Sequence, residues 1–493
     1  MTLDPRTPVL VGYGQVNQRD GTPDPVEPVA LMAAAARAAA DPRVLAAVDA
    51  IRVVNLLSWR YRDPGRLLGE SIGADNPVTR YTGAGGNTPQ SLVNQACLDI
   101  LAGRAGVVLL AGAEAWRTRM RLKAAGLRPR WTEQDEAVPI PPGAEKALEM
   151  SGPGQDRIHL GLPSHVYPMF EEALRVATGE TPAVHRRRIA ELWEGFNAVA
   201  RHNPDAWSNK AYTAAEIATA GPDNRMISWP YTKLMNSNNM VDQGAAVILT
   251  SVQQATHLQI PSERWVFPWS GTDAQDSISI AERWEFHRSP AIRIAAARVL
   301  ELAGLTLDDI DLIDIYSCFP SAVQIAALEI GLPTDAGPLT VTGGLTFAGG
   351  PWNNYVMHSI ATMAAKLAAE PGKRGLITAN GGHLAKHSFG VYSAEPPPAG
   401  FRWEDAQPIV DREPTRRAVG DFTGLGTVET WTAPFGRDGT PEKAFLAVRT
   451  ADDARALAVI TDPEVVGQAI AEGAENLSGA RVRVAADGKA VLA

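Results

Sequence analysis

Up to residue 394 the chain repeats one hydropathic pattern: a short apolar run closed by glycine, then a longer stretch with apolar positions at helical spacing. Residues 9–12 (Val-Leu-Val-Gly) predict a buried strand, and the alanine-rich residues 28–40 a helix. A strand is predicted around 53–57, a helix over 89–102, and a strand over 107–110 that closes on Ala111-Gly112. The same grammar returns as a strand at 265–268, a helix at 291–303 and a strand at 312–316. A glycine-rich turn from Gly343 to Pro351 then leads into a helix over 353–369 and a strand over 375–379, ending at Gly381-Gly382. Strands alternating with helices predict mainly parallel sheets covered on both faces, an α/β fold. Gly12-Tyr13-Gly14 follows a strand, but no third glycine stands at the dinucleotide-binding spacing, so that reading is set aside.

Two stretches correspond: Gly85-Gly86-Asn87, a helix and the strand ending at Gly112; and Gly349-Gly350-Pro351, a helix and the strand ending at Gly382. This long-period repeat predicts a duplicated pair of half-domains. Between them, residues 116–238 are richer in Arg, Pro and Trp and poorer in regular pattern, and read as an insertion carried by the first half. Glu395-Pro396-Pro397-Pro398-Ala399-Gly400 is a stiff linker signal. Beyond it the pattern turns to strands at 427–431, 444–448, 481–485 and 490–492, with turns at Asp438-Gly439 and Asp487-Gly488. The predicted domains are 1–258 with the insertion, 259–394, and a small all-β barrel over 401–493.

Length and charge narrow the partners. The 493 residues suffice for about three domains. Lys+Arg 46 against Asp+Glu 55 gives a formal charge of −9, which argues against nucleic acid or an anionic membrane as the main partner. No apolar run approaches the ~18 residues of a membrane helix. Met1-Thr2-Leu3-Asp4-Pro5-Arg6 has no basic-then-apolar export signal, so a cytoplasmic protein is expected. Only Cys97 and Cys318 are present, which disfavours disulfides and thiolate metal sites. Cys97 follows Leu92, Val93 and Ala96 on one helical face and reads as core packing.

Seven short segments, taken in order, resemble the thiolase superfamily, closest to sterol-carrier-type thiolases and type 1 thiolase-like proteins. They are residues 9–15, Tyr81-Thr82-Gly83-Ala84-Gly85-Gly86, Asn203-Pro204-Asp205-Ala206, Val241-Asp242-Gln243-Gly244-Ala245-Ala246, Tyr316-Ser317-Cys318-Phe319, Gly349-Gly350-Pro351 and Asn380-Gly381-Gly382. The resemblance implies a layered αβαβα core with an inserted loop domain, and an added C-terminal domain similar to the OB-fold subunits that accompany some relatives. It also implies a CoA thioester as ligand, no further cofactor, and a homodimer or, where the added domain covers the interface, a monomer.

The chemistry departs from that pattern. Gly83 stands where a thiolase has its nucleophilic cysteine at a helix N-terminus, and Thr82 and Thr88 are the nearby hydroxyls, with no base assigned to either. Gly350 replaces the histidine of the Gly-His-Pro turn, and Thr378-Ala379-Asn380-Gly381 lacks the thiol of the Cys-x-Gly element. Cys318 matches the cysteine of a His-Asp-Cys-Phe segment, with Tyr316 and Ser317 replacing the His and Asp. It reads either as an acid–base group or as a small buried residue at a strand end. His383 and His387 have the i, i+4 spacing of a helical metal pair, but the following residues read as a strand, where both would face one side beside the pocket and one is a candidate general base.

Asn353, Asn354 and His358 open the second central helix, where they are candidates to hold a carbonyl or phosphate oxygen; capping is the alternative for Asn353. Arg119 and Arg121 lie in the basic run Arg117, Arg119, Arg121, Lys123, Arg128, Arg130. That run is either a phosphate site or a solvated face balanced by Glu133, Asp135 and Glu136. Three missing elements predict an acyl-CoA binder without thiolase activity. The alternative is a CoA-thioester enzyme of another mechanism, a retro-aldolase or C-acyltransferase, with Tyr316, Cys318 and His383 as proton carriers.

Overall fold

The computed structural model describes residues 3–22, 24–144, 150–334, 337–471 and 476–493. Two five-stranded sheets organise the chain as far as Asp405. In the first, Pro8–Asn17 lies at one edge, followed by Asp242–Ser251, Val107–Ala115, Ala50–Val53 and Val78–Tyr81. Asp242–Ser251 is antiparallel to both neighbours, and Ala50–Val53 is parallel to both of its own. The second sheet repeats the motif: Phe267–Gln275, Lys386–Ser393, Arg374–Gly381 and Leu312–Asp314 take the places of the first four strands, with the same senses. The duplication expected from the two glycine turns is therefore a duplication of topology.

Helices Thr88–Leu101 and Tyr355–Ala369, each following one of those turns, lie between the sheets, while Pro28–Ala39 and Pro290–Ala303 cover the outer faces. The result is a five-layer core, the arrangement that the resemblance to thiolases implies. Pro28–Ala39 is alanine-rich because it lies almost on the sheet: a Cβ at Gly14 would overlap Ala35 O and stand 2.6 Å from Ala39 N. Glycines on the inner strands leave room for amides of the central helices. Asn94 fills the space at Gly271, Gln90 that at Gly390 and Asn354 that at Gly112. These buried amides are bonded, Asn94 to Asp273 (3.0 Å), Gln90 to Asn94 (3.0 Å) and Asn354 to Gly112 O (2.7 Å).

The sheets are mixed, each with two antiparallel and two parallel pairings, where mainly parallel sheets were expected, and four further features differ from the sequence expectation. The strand expected at 53–57 is Ala50–Val53, because the next N–H groups donate to side chains: Asn55 to Thr82, Leu56 to Tyr81, Leu57 and Ser58 to Glu114. The insertion, expected to be irregular, holds the long helices Pro163–Thr178 and Pro182–Ala200; Pro168 inside the first, and the Arg-rich start of the second, mask their periodicity. The strand Arg402–Asp405 pairs with Phe267–Gln275, so the proline-rich stretch is a crossover within the core and the C-terminal domain begins later than 401. His383 lies in the turn after Arg374–Gly381 while His387 lies on Lys386–Ser393, so they do not share one strand face.

The C-terminal unit is one six-stranded sheet in the order Ala418–Val419, Arg455–Ile460, Ala444–Arg449, Gly424–Thr432, Arg481–Val484, Ala490–Leu492. Among the described residues no ladder closes it into the expected barrel: the isolated bridge Val459–Lys489 and the bond from Val459 N–H to Gly488 O (2.9 Å) link its two sides. It has its own core around Trp431, Leu446, Val448, Ile460 and Val482, joined by Trp229 of the insertion. It docks on Pro163–Thr178 through Thr430 to Met169 O (2.5 Å) and Ser478 to Glu172 (2.6 Å). The fully buried Arg455 pairs with Glu429 and donates to the carbonyls of Ala281 and Trp284.

Candidate functional site

Four loops converge at the N-terminal ends of the two central helices. Gly85 N–H donates to Asn353 Oδ1 (2.9 Å), and Asn353 Nδ2 donates on to Asn55 O (3.0 Å), which ties the first glycine turn to the second. Gly350 N–H donates to Asn238 O (3.0 Å) and Ser237 N–H to Cys318 O (3.1 Å), so the end of the insertion is stitched to both catalytic-loop equivalents. Tyr316 N–H donates to Thr378 Oγ1 (3.0 Å), fixing the Tyr316–Cys318 turn against the strand that ends in Asn380. Gly83, Gly350, Cys318 and Asn380 thus lie on the four loops that meet.

The space beside three glycines of these loops is occupied. A Cβ on Gly350 would overlap Ser237 Oγ and stand 3.0 Å from Asn239 Oδ1. At Gly86 a Cβ would overlap Tyr316 Oη and stand 2.5 Å from Asn380 O, and at Gly381 it would lie 2.5 Å from Asn87 Oδ1. Tyr316, Asn380 and His387 line one internal cavity of about 10 Å³, on the scale of a single water.

The sequence did not single out Tyr167, which organises this cluster. It stacks on Phe319 at 4.5 Å and receives hydrogen bonds from Asn380 Nδ2 (3.0 Å) and Leu384 N–H (3.0 Å), while its hydroxyl donates to Gly382 O (3.1 Å). Asn380 Nδ2 also lies 3.9 Å from Cys318 Sγ. Tyr167 belongs to a helix whose periodicity Pro168 masks.

Burial sets the electrostatics. It pushes the Cys318 thiol up to about 12 and the Tyr316 and Tyr167 hydroxyls well above their ordinary range, so all three stay protonated at neutral pH. His383 and His387 are both pushed down to about 4 by burial, which makes them neutral. His387 Nε2 donates to Leu384 O (3.2 Å), 3.8 Å from Asp276. The cluster therefore holds neutral donors and the neutral imidazole of His387, with its thiol protonated.

The remaining sequence candidates lie elsewhere or serve the scaffold. Asn354 is committed to Gly112 O. His358 Nδ1 donates to Gln15 Oε1 (2.8 Å), its Nε2 has no hydrogen-bond partner, and burial brings the ring down to about 3. Arg119 donates to Leu57 O (3.0 Å) and lies 5.3 Å over the Trp116 ring; Arg121 is exposed. Among the described residues, no group of three or more His, Cys, Asp or Glu is placed to hold a metal ion, and no helix is long and apolar enough to cross a membrane.

Similarity to known proteins follows the same division between core and added domain. Residues 405–489 match the family described as the thiolase-like protein type 1 additional C-terminal domain. A curated acetyl-CoA acetyltransferase of Syntrophomonas wolfei is 28% identical over 143 residues, 29% of this chain and 34% of that protein, so the chain aligns with about a third of that relative's length. The Ltp2-ChsH2(DUF35) aldolase superposes with a TM-score of 0.58 at 19% identity, over 79% of this chain and 98% of the other, a likeness of fold. The crystal structure of a monomeric SCP2-thiolase-like protein type 1 from Mycobacterium smegmatis superposes with a TM-score of 0.84 at 32% identity, covering 100% of both chains. With core and added domain both matched over their full length, the chain belongs to the SCP2-thiolase-like proteins of type 1.

Proposed function

We propose that this protein binds a CoA thioester and carries out neither thiolysis nor Claisen condensation. The observation that carries the reading is the occupied space at Gly350: Ser237 Oγ stands where a histidine would have to leave the backbone. Gly83 supplies no nucleophile, and the nearest thiol, Cys318, is held protonated by burial. A nucleophile and base that act as one unit lose most of their rate when either is absent. The CoA-thioester ligand rests on the family's core fold and on the acetyl-CoA acetyltransferase relative. The test is a calorimetric titration with CoA and acetoacetyl-CoA, with turnover followed in the same samples. Binding without cleavage is expected. Thiolytic turnover would overturn the loss of chemistry, and absence of binding would remove the thioester.

A second reading, retro-aldol cleavage of a β-hydroxyacyl-CoA, is favoured by Tyr316 Oη over Gly86 and by the fold shared with the Ltp2-ChsH2(DUF35) aldolase. That reaction needs no acyl-enzyme. A base takes the hydroxyl proton, the Cα–Cβ bond breaks to release a carbonyl compound, and the enolate left on the thioester is protonated at Cα. His383 is the neutral imidazole available to accept a proton, and Tyr316 and Cys318 are the donors. Release of acetyl-CoA from a β-hydroxyacyl-CoA that is lost in Tyr316→Phe would select this reading. No release with the unmodified protein would reject it.

A further inference from the structure

A wide cleft opens beside the inserted helices. It lies between the inserted helix Pro182–Ala200 and the core helix Tyr355–Ala369 and has a volume of about 1390 Å³. That is ample for a ligand of more than twenty non-hydrogen atoms, since small-molecule pockets run from ~300 to ~1,000 Å³. Leu192, Phe196 and Val199 recur at helical spacing along one wall and face Leu339 and Val341 across the cleft.

A polar floor interrupts these walls. Gln15 Nε2 donates to Asp205 Oδ2 (3.2 Å) and to Thr362 Oγ1 (3.0 Å), and Gln15 Oε1 accepts from His358 Nδ1 (2.8 Å). With Nδ1 as donor, His358 Nε2 is a bare acceptor. The ring lines a cavity of about 10 Å³ that shares Gln15, Asn203 and Asp205 with the cleft. The floor is thus an uncharged amide and hydroxyl beside one carboxyl group. Charges at the mouth offset one another: Arg188, already paired with Glu180 at 2.9 Å, and Lys366 against Glu191 and Glu370. Nothing there matches a polyanion such as the nucleotide part of CoA.

We propose that this cleft binds an uncharged, mainly apolar molecule that presents one hydroxyl or carbonyl oxygen to Gln15, Asp205 and Thr362, the chemistry of a long-chain alcohol or ketone. The cleft adjoins the Gly349–Pro351 turn through the small cavity beside His358, and the proposal does not rest on the CoA-thioester reading. Gly195 offers a direct way to close it. It lines the cleft within a helix, and an added Cβ meets nothing within 4 Å, so a tryptophan there projects into open space instead of the core.

The experiment is fluorescence titration of the full chain with Nile red, followed by competition with dodecan-1-ol, 2-tridecanone, dodecanoate and CoA. Saturable binding is expected, with displacement by the alcohol and the ketone well before dodecanoate and not by CoA. Gly195→Trp is expected to weaken Nile red by about tenfold or more at an unchanged melting temperature, and Thr362→Val to weaken the alcohol by about fivefold to tenfold without moving Nile red. Absence of saturable binding, displacement led by dodecanoate or CoA, or a folded Gly195→Trp that binds as the parent does would each overturn the proposal. If Gly195→Trp does not fold, the competition order and Thr362→Val decide it.

Discussion

Two buried polar clusters meet at the helix Pro320–Ile330 and are built on opposite principles. At its start, Tyr316, Cys318, Asn380 and Tyr167 form a cluster of hydroxyls, amide and thiol, all neutral at physiological pH. One turn further in, Gln324 and the N–H of Ser321 reach a cluster made of charge. Glu171 accepts from His185 Nε2 (2.6 Å), Gln324 (2.6 Å) and Tyr231 (2.5 Å), while His185 Nδ1 donates to Glu180 (2.6 Å), which also holds Arg188. Burial opposes the protonated form of His185, but the hydrogen bonds and charges of the two carboxylates overcome it and raise the imidazole. Arg188 outweighs desolvation at Glu180 and holds its carboxyl down at about 2. The cluster around Cys318 is neutral and leaves little free space. The cluster that orders the inserted helices has kept both carboxylates, and with them a strict demand on every partner.

The largest effect should follow from breaking the charged cluster. Glu171→Ala strands His185, Tyr231 and Gln324 without their shared acceptor, and is expected to cost about 3–5 kcal/mol in urea unfolding. A loss below about 1 kcal/mol would mean the network contributes little and the contrast is cosmetic.

Stability against pH separates the two regions by sign. The unfolded chain takes up a proton on His387 near pH 6.5, whereas the folded protein resists it until about 4. Stability from this group is full above pH 6.5 and falls as pH drops, by on the order of 3 kcal/mol over the window. His185 runs the other way. Its raised folded value makes its contribution full below about pH 6.5 and lost as pH climbs through that value. His387→Gln should therefore flatten the melting-temperature profile between pH 6.5 and 5, and His185→Gln should flatten its alkaline limb. Identical profiles for both variants would refute the assignment.

These regions were unequally legible in the sequence. The glycine turns, Cys318 and the duplicated order of strands carry local signatures of period and spacing, so the core could be read residue by residue. Phe267–Gln275 was recognised only at its start, because Ser270 and Thr272 interrupt the apolar pattern while hydrogen-bonding the carbonyls of Val299 and Ala295. Tyr167 and Glu171 were missed because their role depends on contacts with residues 60 to 217 positions away, for which no local pattern exists. His185 was missed because its partners Glu171 and Glu180 lie in, and just after, a helix whose periodicity was masked. Gln15 lay inside a segment noted for its resemblance, yet its partner His358 is 343 positions distant.

Restoring a thiolase residue is the next smaller perturbation. Gly350→His must displace Ser237 Oγ and crowd Asn239, and is expected to destabilise by about 1–3 kcal/mol. Ser237→Ala removes the oxygen in the way, so the double variant should recover part of that loss, with a coupling of about 1 kcal/mol. Additive single effects would show that Ser237 does not fill the vacated position. Gly83→Cys with Gly350→His should still not cleave acetoacetyl-CoA, since the fold around Gly350 has closed.

The smallest effect expected belongs to Cys318. Its sulfur is buried and protonated, beside the Tyr167 hydroxyl and with Asn380 Nδ2 at 3.9 Å, so no charge is stranded when it is removed. Cys318→Ala leaves a small void and should lower stability by about 1 kcal/mol, a shift of a few degrees in melting temperature. Glu171→Ala, at similar depth, is expected to cost several times more, and the ratio of the two measures the difference between a neutral and a charged buried cluster. Activity gives a second axis. If Cys318 is packing, any turnover found with a β-hydroxyacyl-CoA survives its replacement; if it donates a proton, turnover collapses while the melting temperature barely moves. In that case the neutral cluster is a working acid kept protonated by burial.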